Sequence, residues 1–485
     1  MEIVFVSAEL TPLAKTGGLG DVCFELPKAL ANLGHSVSVF IPKYRCVEKQ
    51  KVSSFSVLDE FFVPVGADSA PCGVECIEFA SNIKFYLIKN RSFFDRNGLY
   101  GTEDGDYSDN HRRFIFFNRA VIEAIRRIGV QPDVIHCHDW HAALVPVYLK
   151  SLYKYDLFFE KTKTVFTIHN LAFQGIFSGD TFFLTGLNRR EFDFDGLEYF
   201  GDMNFMKGAI LYSDVVTIVS ETYAKEIQTE ELGCGLFPVL KYRSKDLVGI
   251  INGIDEDVWN PATDKSIQQK FSINELELRN YNKKALQKKC GFKEDEKIPL
   301  LGLVGRVAEQ KGFDLLIKIM PKLLKTGAQI VILGQGDRVI EKNLEFFSAK
   351  NQKNLKLFFC FDDTLARCIY AGSDIFLMPS RFEPCGLGQL ISLRYGSIPV
   401  VRKTGGLADT IQPVKNNNGN GFCFNEYSDV AFLKAVNEAL NVYADKERWK
   451  QIILNAMKQD FSWHAAALKY AELYKRVEKN KGVIS

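Results

Sequence analysis

Apolar residues along this chain fall into short runs of strand length, at 3–7, 36–42, 134–141, 164–170, 214–220 and 245–251. Between them lie stretches with apolar residues at helical spacing: 21–33, stopped by Gly34, then 111–128, then one from about Glu221. Strand, glycine loop, helix and strand over 3–42 is the opening of a parallel α/β sheet. It resembles half of a Rossmann unit but lacks the G-x-G-x-x-G spacing, so a dinucleotide cofactor is not indicated. Residues 52–90 alternate short β-like runs with turns, the pattern of an antiparallel excursion. A polar, glycine-rich loop at 91–109 follows, with Tyr100 and Asp106 in it.

Polarity then rises over 263–297, and the rhythm restarts. Strands are expected at 300–304, 329–333, 355–359, 374–378 and 398–401, with helices from Phe313, at 429–443 and at 463–477. A polar turn covers 416–420. The boundary falls near 245–262 and is drawn after residue 247, giving Rossmann-like domains over 1–247 and 248–485. The last helix, 463–477, could stay with its own domain or pack back on the first; the pattern leaves both open. The expected fold class is therefore α/β, two Rossmann-like domains whose parallel sheets flank a deep cleft. Ligands of such proteins bind at the C-terminal ends of strands.

Composition changes this picture little and excludes several partners. With 61 basic and 59 acidic residues the net charge is +2, which gives no electrostatic case for nucleic acid or an anionic membrane. The eleven cysteines show no disulfide or zinc-finger spacing. The N-terminus carries an acid where a signal peptide needs bases, and no run approaches the roughly 18 apolar residues of a membrane span. A cytoplasmic location is expected.

Candidate chemistry clusters at the strand-to-helix turns. Lys15-Thr16-Gly17-Gly18-Leu19-Gly20-Asp21 is echoed by Lys403-Thr404-Gly405-Gly406-Leu407-Ala408-Asp409, six of the seven residues matching. Paired glycines let backbone N–H groups approach a ligand, and a helix N-terminus attracts anions. Arg306 and Lys311 flank a third glycine turn. Singly, each of these cations reads as a solvated surface charge; together with Lys15, in glycine turns, they suit a pyrophosphate. A unit charge pair about 4 Å apart is worth on the order of 4 kcal/mol at an effective dielectric constant of about 20. Such pairs could take the leaving-group role that magnesium plays elsewhere.

His136, His138 and His141 invite a metal reading, but no H-E-x-x-H and no cysteine partner accompanies them, so polar residues lining a cleft are favoured. Asp104-Gly105-Asp106 and Asp193-Phe194-Asp195 match D-x-D, a pattern common by chance among 59 acids. Glu383, before Pro384, is as much a helix cap as a catalytic acid, and no second carboxylate pairs with it by spacing. Trp140 fits a core position or a sugar-stacking ring equally well.

Taken in order, several segments carry a family resemblance. They are Lys15 to Leu19, His138-Asp139-Trp140-His141, Thr167-Ile168-His169-Asn170, Asn252-Gly253-Ile254-Asp255, and Gly305-Arg306 with Gln310-Lys311-Gly312. Ile369 to Asp374, Ser380 to Leu387 and Lys403 to Asp409 complete the set. In this order and spacing the chain resembles the bacterial and plant glycogen (starch) synthase family over essentially its whole length.

The resemblance implies a GT-B fold, with the acceptor side in the N-terminal domain and the nucleotide-sugar side in the C-terminal one. It implies a hexosyltransferase that moves glucose from ADP-glucose to the non-reducing end of an α-1,4-glucan, with retention and without a cofactor or metal. It implies that Lys15, Arg306 and Lys311 bind the donor phosphates, with Gly18, Thr404 and Gly405 lining their site. His169 would touch the transferred glucose, Asn252 would hold the sugar, and Glu383 would hold glucose hydroxyls. Cys385, Gly386 and Leu387 would present backbone to the donor, and Asp139 and Trp140 would lie on the acceptor side.

Gly388 and Ile391 stand where the family usually has Thr and an aromatic residue, and Phe361 where relatives often carry a base-stacking Tyr. Glu221 replaces a common Pro. The first three lie near the donor in the family, so ADP-glucose is expected with UDP-glucose tolerance left open. The rival readings are a GT-B enzyme with another donor or acceptor, a metal-dependent GT-A enzyme, and a silent glucan-binding scaffold. The presence of Lys15, His169, Arg306, Lys311 and Glu383 argues against the last.

Overall fold

Ile3, Val4, Phe5 and Val6 are buried in consecutive positions, as a strand with both faces covered requires. A computed structural model describes residues 1–50, 52–415 and 418–479 and places that strand, Glu2–Val6, near the middle of a nine-stranded sheet. Asn416 and Asn417 of the expected polar turn lie outside the described residues. The chain divides into two units: Met1–Val219, Ala224–Ile251 and the helix Trp463–Lys479 form one, Ser220–Tyr223 and Asn252–Ser462 the other.

The sheet of the first unit runs, by strand, Leu247–Gly249, Val215–Ile218, Lys163–Ile168, Val134–His138, Glu2–Val6, Ser36–Pro42, Ile83–Lys89, Asp68–Ala80, Phe55–Val65. All neighbours are parallel up to Ile83–Lys89; the last two strands form an antiparallel extension on that edge. Glu2–Val6 pairs with Ser36–Pro42 on one side and with Val134–His138 on the other. Connections therefore leave in opposite directions between strands 2–6 and 134–138, and such switch points open a ligand crevice at the strands' C-terminal ends.

One detail departs from the sequence reading, and another decides between placements that it left open. The boundary was expected after residue 247, but Leu247–Gly249 pairs with Val216, Thr217 and Ile218, so the first unit keeps its edge strand and runs to Ile251. The helix Trp463–Lys479 packs on Gly18–Asn32, and Tyr474 Oη lies 2.7 Å from His136 Nδ1 in the sheet. The first unit is thus built from both ends of the described chain.

The second unit has six strands, all parallel, in the order Leu355–Phe358, Gln329–Leu333, Leu300–Val304, Ile375–Met378, Ile398–Arg402, Phe422–Phe424. Its switch point lies between 300–304 and 375–378. The polar stretch 263–297 is no linker here: it contains the helix Arg279–Cys290, which sends two cations into the core. Lys283 Nζ sits 2.7 Å from Asp374 Oδ2 and donates to Tyr443 Oη at 2.7 Å, while Arg279 Nε donates to the Tyr395 carbonyl at 3.0 Å. A composition that looks solvated is satisfied inside by paired charge.

Candidate active site

In the first unit the switch point is held by a carboxylate that the sequence reading missed. Glu9, three residues beyond Val6 and buried, accepts from Thr16 N–H (2.8 Å), Thr16 Oγ1 (2.6 Å), Gly17 N–H (3.2 Å) and Tyr100 Oη (2.8 Å). These four bonds pin the glycine loop and the 91–109 loop to the end of one strand. An acid just past a strand carries no distinguishing pattern, so only the fold reveals its work. Lys15 is ion-paired with Asp21 at 2.7 Å and remains open to solvent, so the first and last residues of the motif hold each other. A Cβ at Gly17 or Gly18 would meet nothing within 4 Å, and the helix Gly18–Asn32 starts there without a side-chain cap. The glycines keep room open before the helix N-terminus, the arrangement that suits an anion.

Beside it, the end of strand 134–138 delivers Asp139 in a left-handed conformation (φ 54°), unusual for a residue with a side chain. Its Oδ1 accepts the His169 backbone N–H at 2.8 Å, tying two neighbouring strand ends together. Burial, and then the charge of Glu9, push its carboxyl up to about 7, against the opposing pull of the His169 and Asn170 N–H groups. Burial lowers His169 to about 3 and holds His136 and His138 well below the ordinary imidazole range, so all three rings are neutral at pH 7. His138 Nδ1 lies 3.0 Å from His169 Nε2, and His136 is engaged by Tyr474 and Thr167. Among the described residues no group of three His, Cys, Asp or Glu side chains is arranged to hold a metal ion.

Trp140 resolves toward the core. The residue is only 9% exposed, its ring set against Phe114, Phe177, Phe205 and His141, and a Cβ at Gly175 would stand 2.7 Å from that ring. It lacks a free face for a sugar, which leaves Asp139 from the expected acceptor-side pair.

In the second unit the turn after strand 300–304 brings Arg306 and Lys311 to the switch point. Gly312 has φ 77°, and a Cβ there would lie 2.0 Å from the Pro379 carbonyl, so only glycine lets this turn close on the 379–387 loop. That approach places Lys311 Nζ 2.6 Å from Glu383 Oε2, which also accepts from Ser380 Oγ at 3.0 Å. Glu383 is therefore not a helix cap: the helix Gly388–Arg394 starts after Leu387, and the carboxylate is buried against its lysine. Arg306 is exposed, its guanidinium donating to Gln310 Oε1 at 2.9 Å.

The remaining expected residues surround this pair. Cys385 is buried, its thiol pushed up to about 12 by burial despite a hydrogen bond from the Asn252 backbone. Asn252 is itself buried, with Oδ1 lacking a partner among the described residues. Gly386 takes φ 75° above the buried Gln389, whose Nε2 donates to the Cys385 and Gly386 carbonyls at 3.0 and 2.9 Å. Leu387 precedes the helix Gly388–Arg394, and Thr404 that of Gly405–Thr410. Phe361, after strand 355–358, is 90% exposed.

The departures at 388 and 391 point into the core. A Cβ at Gly388 would point at Met378, Phe376 and Tyr370 (3.3–3.5 Å), and Ile391 is buried, so both are core substitutions. Of the three departures expected near the donor, Phe361 alone presents an exposed side chain.

Two Rossmann-like units, each with cation-bearing glycine turns at its switch point, define a glycosyltransferase of the GT-B class. The catalytic domain of starch synthase IV from Arabidopsis thaliana, solved bound to ADP and acarbose, has a similar fold at a TM-score of 0.88 and 36% identity, each chain 99% covered. Sucrose-phosphate synthase from Thermosynechococcus elongatus shares the fold alone, at a TM-score of 0.60, 16% identity and 98% coverage of each chain. Residues 2–242 match the starch synthase catalytic domain family and 282–456 the glycosyl transferases group 1 family. The glycogen synthase of Geotalea daltonii is 48% identical, over 99% of this chain and 100% of its own. Glycogen synthase 2 of Geobacter sulfurreducens is 45% identical over 98% of each chain. The chain belongs to the glycogen (starch) synthase family and is a hexosyltransferase with that activity.

Proposed function

We propose that this chain transfers glucose from ADP-glucose to the non-reducing end of an α-1,4-glucan, with retention of anomeric configuration and without a metal. The observation that carries the reading is the ion pair of half-buried Lys311 with buried Glu383 at the switch point, beside the exposed Arg306. A carboxylate held at 2.6 Å from a lysine supplies both halves of donor recognition: acceptor oxygens for glucose hydroxyls and a fixed cation for phosphate. In the transfer, the bond between the anomeric carbon and the diphosphate breaks, one to the acceptor's 4-hydroxyl oxygen forms, and the hydroxyl proton is released with ADP. ADP departs with the charge that we assign to Arg306, Lys311 and Lys15, Gly18, Thr404 and Gly405 lining the phosphate site.

His169 and Asn252 are assigned to the transferred glucose, the backbone of Cys385, Gly386 and Leu387 to the donor, Phe361 to stacking on the base, and Asp139 to the acceptor. The ADP and acarbose of the related starch synthase IV domain support an adenine nucleotide donor and a glucan acceptor. Competition kinetics with ADP-glucose and UDP-glucose on one maltooligosaccharide primer, with and without chelator, test the reading. Chain lengthening from ADP-glucose at a chelator-independent rate is expected. No turnover with ADP-glucose would overturn the donor assignment, and loss of activity in chelator the metal-free mechanism.

A further inference from the structure

His138 has no exposed surface, yet it touches the one histidine assigned to the sugar. Its ring stacks on Phe5 (centroids 5.3 Å apart) and against His136 (4.1 Å), and its Nδ1 lies 3.0 Å from His169 Nε2. On the far side of the ring, His138 Nε2 is buried without a hydrogen-bond partner among the described residues. Burial keeps both imidazoles neutral, so the contact between them contains one proton.

The proton has two possible homes. If His169 donated from Nε2, the remaining proton of His138 would sit on Nε2, a buried N–H group without an acceptor among the described residues. If His138 donates from Nδ1, its Nε2 carries only a lone pair there. Orphaned buried N–H groups are the rarer and costlier case. We infer that His138 is a positioning residue for glucosyl transfer: it donates Nδ1–H to His169 Nε2, fixing His169 as the Nδ1–H tautomer with that N–H as its donor to the sugar. The Asp139 carboxylate fixes the backbone of His169 through its N–H, and His138 fixes the ring. Neutral histidines are set in one tautomer by the partner of their other nitrogen.

This inference rests on the assignment of His169 to the transferred glucose, and the test separates the two. The ¹⁵N-labelled protein has seven histidines, and the resonance missing in His169→Ala identifies His169. It should report a protonated Nδ1 and a bare Nε2 at neutral pH. His138→Phe fills the space without a donor, whereas His138→Asn places an amide N–H near the position of Nδ1. With ADP-glucose and maltooligosaccharide, His138→Phe should lower kcat about tenfold, the size of one hydrogen bond, with donor KM little changed. His138→Asn should recover most of that rate. In a His169→Ala background the His138→Phe change should have almost no further effect.

A wild-type His169 protonated on Nε2 would overturn the inference. So would a His138→Phe loss of the same size in both backgrounds, because that loss would not pass through His169. Full kcat in His169→Ala would instead sink the assignment of His169 to the sugar, leaving the tautomer to be read from the spectrum. If His138→Phe fails to fold, the wild-type spectrum and His138→Asn still decide.

Discussion

Asp139 combines a strained backbone, a bond to His169 and a carboxyl held far above its ordinary range. Its titration is therefore visible in stability. Between the ordinary value of 3.8 and about 7 the folded protein holds a proton that the unfolded chain has released. Stability from this group is complete below that window and falls as pH rises through it. Asp139→Asn should give a flatter dependence of the denaturant midpoint on pH over the same window, and equal slopes for the two proteins would contradict the assignment. Arg306 and Lys311 drew notice in the sequence as cations in a glycine turn, whereas Glu383 read equally well as a helix cap and was singled out only through the family resemblance. Glu9 was not, since its role comes from four hydrogen bonds to residues 7 to 91 positions away. Trp140 shows the converse: a ring in a motif gives no sign whether its faces are free.

At the level of elements, the two glycine motifs match in six of seven residues and do different physical jobs. Gly17 and Gly18 face open space, whereas a Cβ at Gly405 would lie 2.0 Å from the Glu383 carbonyl and one at Gly406 closer still to that of Cys385. Gly405 also has φ 43°. Gly18→Ala should leave the melting temperature nearly unchanged and raise the KM for ADP-glucose. Gly405→Ala should destabilise the protein by more than about 1 kcal/mol, the size of strain at a position that excludes side chains. Calorimetry and donor kinetics on the pair read both, and equal melting temperatures would refute the distinction. The strand rhythm was legible because buried parallel strands are nearly continuous apolar runs. The helix Arg279–Cys290 was hidden, because Arg279 and Lys283 are buried by pairing with groups more than 90 residues away.

For the whole molecule, the pattern announced two α/β halves but could not say where the last helix belongs, since an amphipathic face does not name its partner. The structure gives it to the first unit, where Trp463, Tyr470, Leu473, Tyr474 and Val477 are buried. At roughly 2 kcal/mol for each large apolar side chain, removing it forfeits on the order of 10 kcal/mol, comparable with the stability of a domain. A chain ending at residue 462 should lose the first unit's cooperative melting transition and keep the second's; two intact transitions would contradict this packing.

The same arrangement sets an order of events at the ribosome. The second unit, apart from four residues near position 220, is one continuous stretch and has all its strands once Phe424 has emerged. The first unit, whose first strand is Glu2–Val6, lacks the helix Trp463–Lys479 that covers Gly18–Asn32 until after the second unit's last strand has emerged. The usual N-to-C sequence of domain folding during synthesis is thereby inverted: the half translated first is the half that finishes last.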